Sequence, residues 1–77
     1  MDLQEFIENF AGQFDETDAS EFKSCTEFKK LADWNSMAAL SIIAMIDSEY
    51  GVIIKGDDIV RSQTIEDLFN IVKEGKT

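Results

Sequence analysis

The stretch Asp33-Trp34-Asn35-Ser36-Met37 marks the point where an irregular polar segment passes into an apolar run. The composition of that run predicts a helix over residues 36–50, with Gly51 as its stop. Ser36 therefore stands at a helix start, where a hydroxyl can cap the free N–H groups of the first turn. The same N–H groups and the positive end of the helix dipole also favour a phosphate ester. Two uses of Ser36 are open at this point.

The segment before this helix contains a second helical pattern and a long connection. Apolar residues spaced as on one face of a helix are Leu3, Phe6, Ile7, Phe10 and Phe14. Gly12 weakens the end of this first helix. A structureless connection over 15–35 would be unusually long, so we expect a short helical turn near 27–31. The residues expected to hold the connection to the core are Phe22, Phe28 and Leu31.

The segment after Gly51 predicts two more helices. A connection over 52–54 leads to a short helix over 56–61 that is capped by an aspartate. Residues 64–67 resemble a capping box with Asp in place of Glu, and they open a last helix that ends near Gly75. Its apolar residues are Ile65, Leu68, Phe69 and Val72. The chain has no proline and its β-branched residues do not alternate, which predicts an all-α fold in a single domain over 1–77.

Composition excludes several functions. Sixteen acidic against seven basic residues give a formal charge of −9, which disfavours nucleic acid and anionic lipid as partners. The chain has no histidine and only Cys25, so Ser-His-Asp and Cys-His catalysis and most zinc sites are excluded within it. We therefore expect no enzyme activity, no catalytic residue and no metal site. No run could cross a bilayer, and residues 1–5 lack the basic start of a signal peptide, so we expect a cytoplasmic protein without membrane insertion.

The order of these elements resembles the acyl carrier protein family, a four-helix bundle with a long first loop and a short third helix. The family motif Asp-Ser-Leu at the start of the second helix corresponds to Asn35-Ser36-Met37. The similarity extends through residues 42–52 and 64–68, and it therefore covers nearly the whole chain as one carrier domain.

This resemblance implies a covalent cofactor and a set of partners. Ser36 would carry 4′-phosphopantetheine, derived from coenzyme A, whose terminal thiol holds an acyl group as a thioester. A phosphopantetheinyl transferase would attach the group, and acyl-transferring or condensing enzymes of fatty-acid or related specialised biosynthesis would use it. We expect the carrier to be a monomer.

Two substitutions distinguish this chain from the family pattern. Asn35 replaces the usual Asp, which keeps hydrogen bonding but removes a charge that a partner's basic residue could bind. Met37 replaces Leu, which conserves volume and apolarity.

The geometry of the second long helix, at about 100° per residue, predicts two faces. The predicted core face contains Ala39, Ile42, Ile43, Ile46 and Tyr50. The opposite, outward face contains Met37, Ala38, Ser41, Ala44, Met45 and Ser48. None of these six outward residues is charged, and Asp47 and Glu49 only flank them.

We interpret the outward face as a surface for partner docking. The candidate docking residues are Asn35, Met37, Ser41, Met45 and Asp47. In this hypothesis Met37 and Met45 are apolar anchors, and the acids at the rim steer the partner. The alternative is that this face packs against the long loop through Phe22 or Phe28.

The resemblance also implies that an acyl chain can shelter between the helices. The candidate lining residues are Ile46, Ile54, Ile59 and Leu68, which are equally well explained as ordinary core. Other functions stay open at this stage. The chain could be a peptidyl, aminoacyl or polyketide carrier of the same fold, or an unmodified helical protein-interaction module in which Ser36 only caps.

Overall fold

Helices account for the regular structure of residues 2–75, the part of the chain that the computed structural model describes. The elements are α1 (Leu3–Ala11), 3₁₀ turns at Ala19–Glu21 and Phe28–Lys30, α2 (Ser36–Tyr50), α3 (Gly56–Arg61) and α4 (Ile65–Gly75). No strand occurs in this range, which confirms the prediction of an all-α fold. None of the helices within residues 2–75 combines the length and apolarity needed to span a membrane.

The core forms between the apolar faces of α1 and α4 and the buried side of α2. Phe6 of α1 is fully buried, and its ring lies 5.5 Å from that of Phe69 and 5.7 Å from that of Tyr50. Because these rings come from three helices, they hold the helices together by apolar burial and by edge contacts. The buried face predicted for the first helix is confirmed for Phe6, Ile7 and Phe10, with Leu3 partly buried at its start. Phe14 is buried as well, but it lies in the loop because α1 ends at Ala11.

The long loop between α1 and α2 is held to the core by aromatic side chains. Phe28 is fully buried, with its ring 5.2 Å from that of Phe10 and 5.0 Å from that of Trp34. Phe22 is also buried and Leu31 packs against the core, so the predicted attachment of the loop is confirmed. The predicted turn near 27–31 is the 3₁₀ turn Phe28–Lys30, whereas the turn Ala19–Glu21 was not predicted.

The same loop is hydrogen-bonded to the start of α4. The N–H groups of Ile65 and Glu66 donate to the carbonyl oxygens of Thr26 and Ser24, at 3.2 and 3.0 Å. Within the helix start, Thr64 and Asp67 each accept a backbone N–H of the other at 3.1 Å. The predicted capping box is therefore confirmed, and the loop supplies acceptors to N–H groups that a helix start otherwise leaves unpaired.

The end of α2 is set by Gly51. This residue has φ +66°, the left-handed conformation that favours glycine, and its N–H donates to the Asp47 carbonyl oxygen at 2.9 Å. One residue earlier, the Tyr50 hydroxyl accepts a hydrogen bond from the Asn9 side chain at 2.9 Å, which connects the end of α2 to α1.

The predicted orientation of α2 is partly wrong. Ala38 and Met45 were expected on the outward face, yet both are buried, and the Met45 side chain is only 6% exposed. Ala39 and Ile43, expected in the core, are only partly buried. The buried arc is rotated by about 50° toward Ala38 and Met45. A physical reason is that the long loop runs along this side of the helix, where Phe14 and Ala38 line the same groove.

Candidate functional site

Asn35, and not Ser36, is the residue that caps α2. The Asn35 backbone is extended, and its side-chain oxygen accepts the N–H of Ala38 at 2.8 Å. Ser36 is the first helical residue and is exposed, and its hydroxyl has no hydrogen-bond partner within residues 2–75. The interpretation of Ser36 as a cap is therefore wrong. Its hydroxyl projects from a helix start whose capping group is already supplied by its neighbour.

The first turn of α2 presents unpaired backbone donors beside this hydroxyl. Asn35 accepts the N–H of Ala38 through its side chain and that of Ala39 through its carbonyl oxygen. The N–H groups of Ser36 and Met37 have no acceptor in the described part of the chain. Together with the positive end of the helix dipole, these two donors make the position favourable for an anionic group on Ser36.

A groove of about 480 Å³ lies beside the helix start. Three of the candidate docking residues, Asn35, Met37 and Ser41, line one wall of it. The lining outside α2 comes from the loop and includes Asp15, Glu16 and Asp33. The lining contains no basic residue, so any compensation of an anion here would come from the N–H groups of α2.

The exposed side of α2 is an uncharged strip that we call the α2 strip, formed by Met37, Leu40 and Ala44. The Met37 and Leu40 side chains are 73% and 63% exposed and lie three residues apart on one side of the helix. Ile53 and Val60 are likewise exposed elsewhere in the described chain. Leu40 belonged to neither of the two faces predicted for α2 from the sequence. The signal that could have identified it is its spacing of three residues from Met37 and four from Ala44.

The structure separates the remaining candidate docking residues. Asp47 is exposed near the end of α2, two turns or more from Ser36. Met45 lies in the core cluster and offers no exposed anchor, which corrects its prediction as an outward residue. Met37 and Asp47 are thus accessible, whereas Ser41 is half-buried in the groove wall.

The four candidate lining residues lie inside the core. Ile46, Ile54, Ile59 and Leu68 are all buried members of the same cluster. Their burial agrees with the interpretation of these residues as ordinary core, and their lining of an acyl chain stays a prediction.

Comparison with protein-family models, with curated proteins and with solved structures finds no match to this chain. Functional inference accordingly depends on the Ser36 helix start, the groove beside it and the α2 strip.

Proposed function

We propose that this protein is an acyl carrier protein that holds 4′-phosphopantetheine on the Ser36 hydroxyl. The observation that supports the proposal lies at the start of α2, where Asn35 caps the helix and Ser36 is exposed without a capping role. A serine needed only for capping would accept a backbone N–H itself.

The residues present fit such a group. The Ser36 oxygen is accessible to a transferase, and the free N–H groups of Ser36 and Met37 favour the negative charge of a phosphodiester. When bound, the group supplies a terminal thiol on which acyl cargo is carried as a thioester. The chain itself contributes attachment, orientation along the helix axis and a surface for partners. The chain offers Ser36 no histidine as a base, so a phosphopantetheinyl transferase has to supply one along with coenzyme A.

The partners proposed for the loaded carrier are acyl-transferring or condensing enzymes that contact the α2 strip. Met37 and Leu40 offer apolar contact next to Ser36, and Asp47 lies further along the helix. Met45 has no part in this surface because it is buried. Partners of this carrier would recognise α2 by its shape and apolar contacts more than by charge.

A transfer experiment tests the proposal directly. Incubation with a promiscuous phosphopantetheinyl transferase, Mg²⁺ and coenzyme A should increase the intact mass by one phosphopantetheine. Ser36→Ala should abolish the increase, whereas Ser41→Ala and Ser48→Ala, which remove hydroxyls from the same helix, should retain it. Circular dichroism of each variant shows whether the fold is kept.

The second candidate is an unmodified protein-interaction module. The exposed Met37 and Leu40 side chains favour it, because exposed apolar residues on one helix face are typical of contact surfaces. Absence of a mass increase with several transferases would favour this module. A mass increase at Ser36 would favour a carrier, with peptidyl, aminoacyl and polyketide cargo then separated by mass analysis of the native protein.

A further inference from the structure

The net charge of this protein is concentrated in one part of the chain. Residues 1–27 contain eight acids and one base, Lys23, and therefore carry a formal charge of −7. Residues 28–77 contain eight acids and six bases and carry only −2. All eight acids of the first part are exposed, on α1 and on the first loop. Two of these acids, Asp15 and Glu16, line the groove beside Ser36 together with Met37, whereas the α2 strip itself has no charge.

One acid of this segment, Glu8, lines a groove with an apolar floor. The groove lies between α1 and the first loop and has a volume of about 520 Å³, within the roughly 300–1,000 Å³ typical of ligand pockets. Its floor is formed by Ile7, Ala11, Phe14 and Phe22, and its rim includes Glu8 and Ser20. The rings of Phe14 and Phe22 lie 5.2 Å apart and are both buried, so the floor is fixed by core packing.

We propose that this groove, which we call the α1 groove, docks a protein partner through a Lys- and Arg-rich segment that carries an apolar anchor side chain. The anchor enters the groove between Ala11 and Phe22, and its basic neighbours face the exposed acids of α1 and the loop, with Glu8 at the rim. The match is one of charge complementarity, since Glu8 is the one charged residue of the lining and the segment of chain that forms the groove carries −7. Nucleic acid and anionic membranes are repelled by the same field.

Charge complementarity of this kind has a measurable signature. The charge attraction speeds association of the two partners, and it weakens at higher salt concentration because the ions screen it. The apolar anchor sets the register of the complex. The proposal concerns a surface other than the Ser36 helix start and does not depend on modification of Ser36.

The test uses the full-length, unmodified protein labelled with ¹⁵N and a synthetic amphipathic peptide of Lys and Leu. A peptide with the same Leu spacing and Glu in place of Lys is the control. Titration of the Lys/Leu peptide should shift the amide signals of Ile7, Ala11 and Phe22, and the Glu/Leu peptide should not. Glu8→Lys should weaken binding about threefold to tenfold at low salt, because it removes one attraction and adds one repulsion at the rim.

Two variants separate the groove from general charge attraction. Glu66→Lys makes the same change in net charge on α4, and it should alter binding by less than about twofold. Ala11→Leu fills the groove and should remove the shifts at its floor. Thermal melts establish that each variant is folded, and Glu8→Lys decides the question if Ala11→Leu does not fold.

Several results would overturn the proposal. One is that Glu66→Lys weakens binding of the Lys/Leu peptide as much as Glu8→Lys does, and another is that the Glu/Leu peptide binds as tightly as the Lys/Leu peptide. The others are that no binding is seen at millimolar peptide, or that only the amide signals of Met37 and Leu40 shift. Concentration-dependent shifts of the groove signals without peptide would identify a second copy of the chain as the occupant instead. Displacement of the peptide by a free fatty acid at lower concentration would identify an apolar chain instead.

Discussion

Helices α1 and α2 are both rich in apolar residues, but they differ in how clearly their sequences mark the side that faces solvent. Glu5 and Glu8 lie on the exposed side of α1 and leave Phe6 and Phe10 to the core. α2 has no charge before Asp47, so nothing in its first eleven residues marks the exposed side. Charge makes the amphipathic pattern of α1 unambiguous, whereas apolar periodicity alone left the orientation of α2 wrong by about 50°.

The same difference extends to function. The segment that contains α1 carries most of the net charge, and α2 offers a neutral surface beside Ser36. The two regions are therefore suited to different contacts, with long-range charge attraction at the α1 groove and short-range apolar contact at the α2 strip.

The largest expected effect comes from a charge placed on each side of α2. Met45→Glu should destabilise the protein by about 3 kcal/mol or more, because it buries a carboxylate without a partner. Met37→Glu places the same group on the exposed α2 strip and should change the free energy of unfolding by less than about 0.5 kcal/mol. Urea denaturation followed by circular dichroism measures both.

The Met37→Glu variant also tests the α2 strip as a docking surface. It should fold normally, accept phosphopantetheine and react poorly with a cognate acyl-transferring enzyme. Unchanged kinetics with that enzyme would remove Met37 from the docking surface. A stable Met45→Glu protein would contradict the observed orientation of α2.

An effect of intermediate size is expected at the start of α2. Asn35→Ala should cost about 1 kcal/mol of stability, because the N–H of Ala38 loses its acceptor. Asn35→Asp should retain the cap and add favourable charge near the helix N-terminus. Ser36→Ala should leave stability within about 0.5 kcal/mol of the parent protein. If Ser36→Ala lost more stability than Asn35→Ala, Ser36 and not Asn35 would be the capping residue.

The smallest effect is expected at the start of α4. Hydrogen bonds from the backbone N–H groups of Thr64 and Gln63 lower the pKa of Asp67 below its ordinary value of 3.8. Because the folded-state pKa is the lower one, the carboxylate stabilises the fold above about pH 4, and this contribution is lost as the pH falls through the folded pKa. Asp67→Asn should therefore be less stable than the parent protein at pH 7 and equally stable below the folded pKa.

The control for Asp67→Asn is Glu66→Gln in the same helical turn. The Glu66 carboxylate makes no hydrogen bond within the described residues. Both variants therefore remove a negative charge near the N-terminus of α4, but only Asp67→Asn disturbs the hydrogen bonds that cap the helix. Unfolding curves measured at pH 7 and at successively lower pH, through the folded-state pKa of Asp67, compare the two. An identical pH dependence of both variants would contradict the role of the Asp67 hydrogen bonds.

The fold could be predicted from the sequence where local signals are strong. Gly51, the Thr64–Asp67 capping box and the apolar spacing of α1 each act through the nearest few residues, and each prediction is confirmed. The turn Ala19–Glu21 was missed, although Asp18 accepts the N–H of Ser20 and marks its start. Such a short turn has no apolar periodicity that could reveal it.

The sequence predicted that Ser36 lies at the start of a helix, but it did not predict how the residues around Ser36 are arranged. Ser36 was placed correctly at the start of a helix, but its separation from the capping role depends on the extended backbone of Asn35. The exposure of Leu40 and the burial of Met45 depend on which side of α2 the loop covers. No local signal contains that information, because both residues are large and apolar.

The sequence by itself determined the helical content, the helix ends and the excess of acid in the first 27 residues, since these follow from side-chain chemistry and local backbone preferences. Only the tertiary structure decided which side of α2 is buried, that Asn35 leaves Ser36 exposed without a capping role, and that an apolar groove lies beside Glu8 between α1 and the loop. The physical reason is that these features arise where the loop aromatics Phe14, Phe22 and Phe28 pack against the helices. Packing between residues distant in the chain is fixed by shape and volume, which local sequence patterns do not specify.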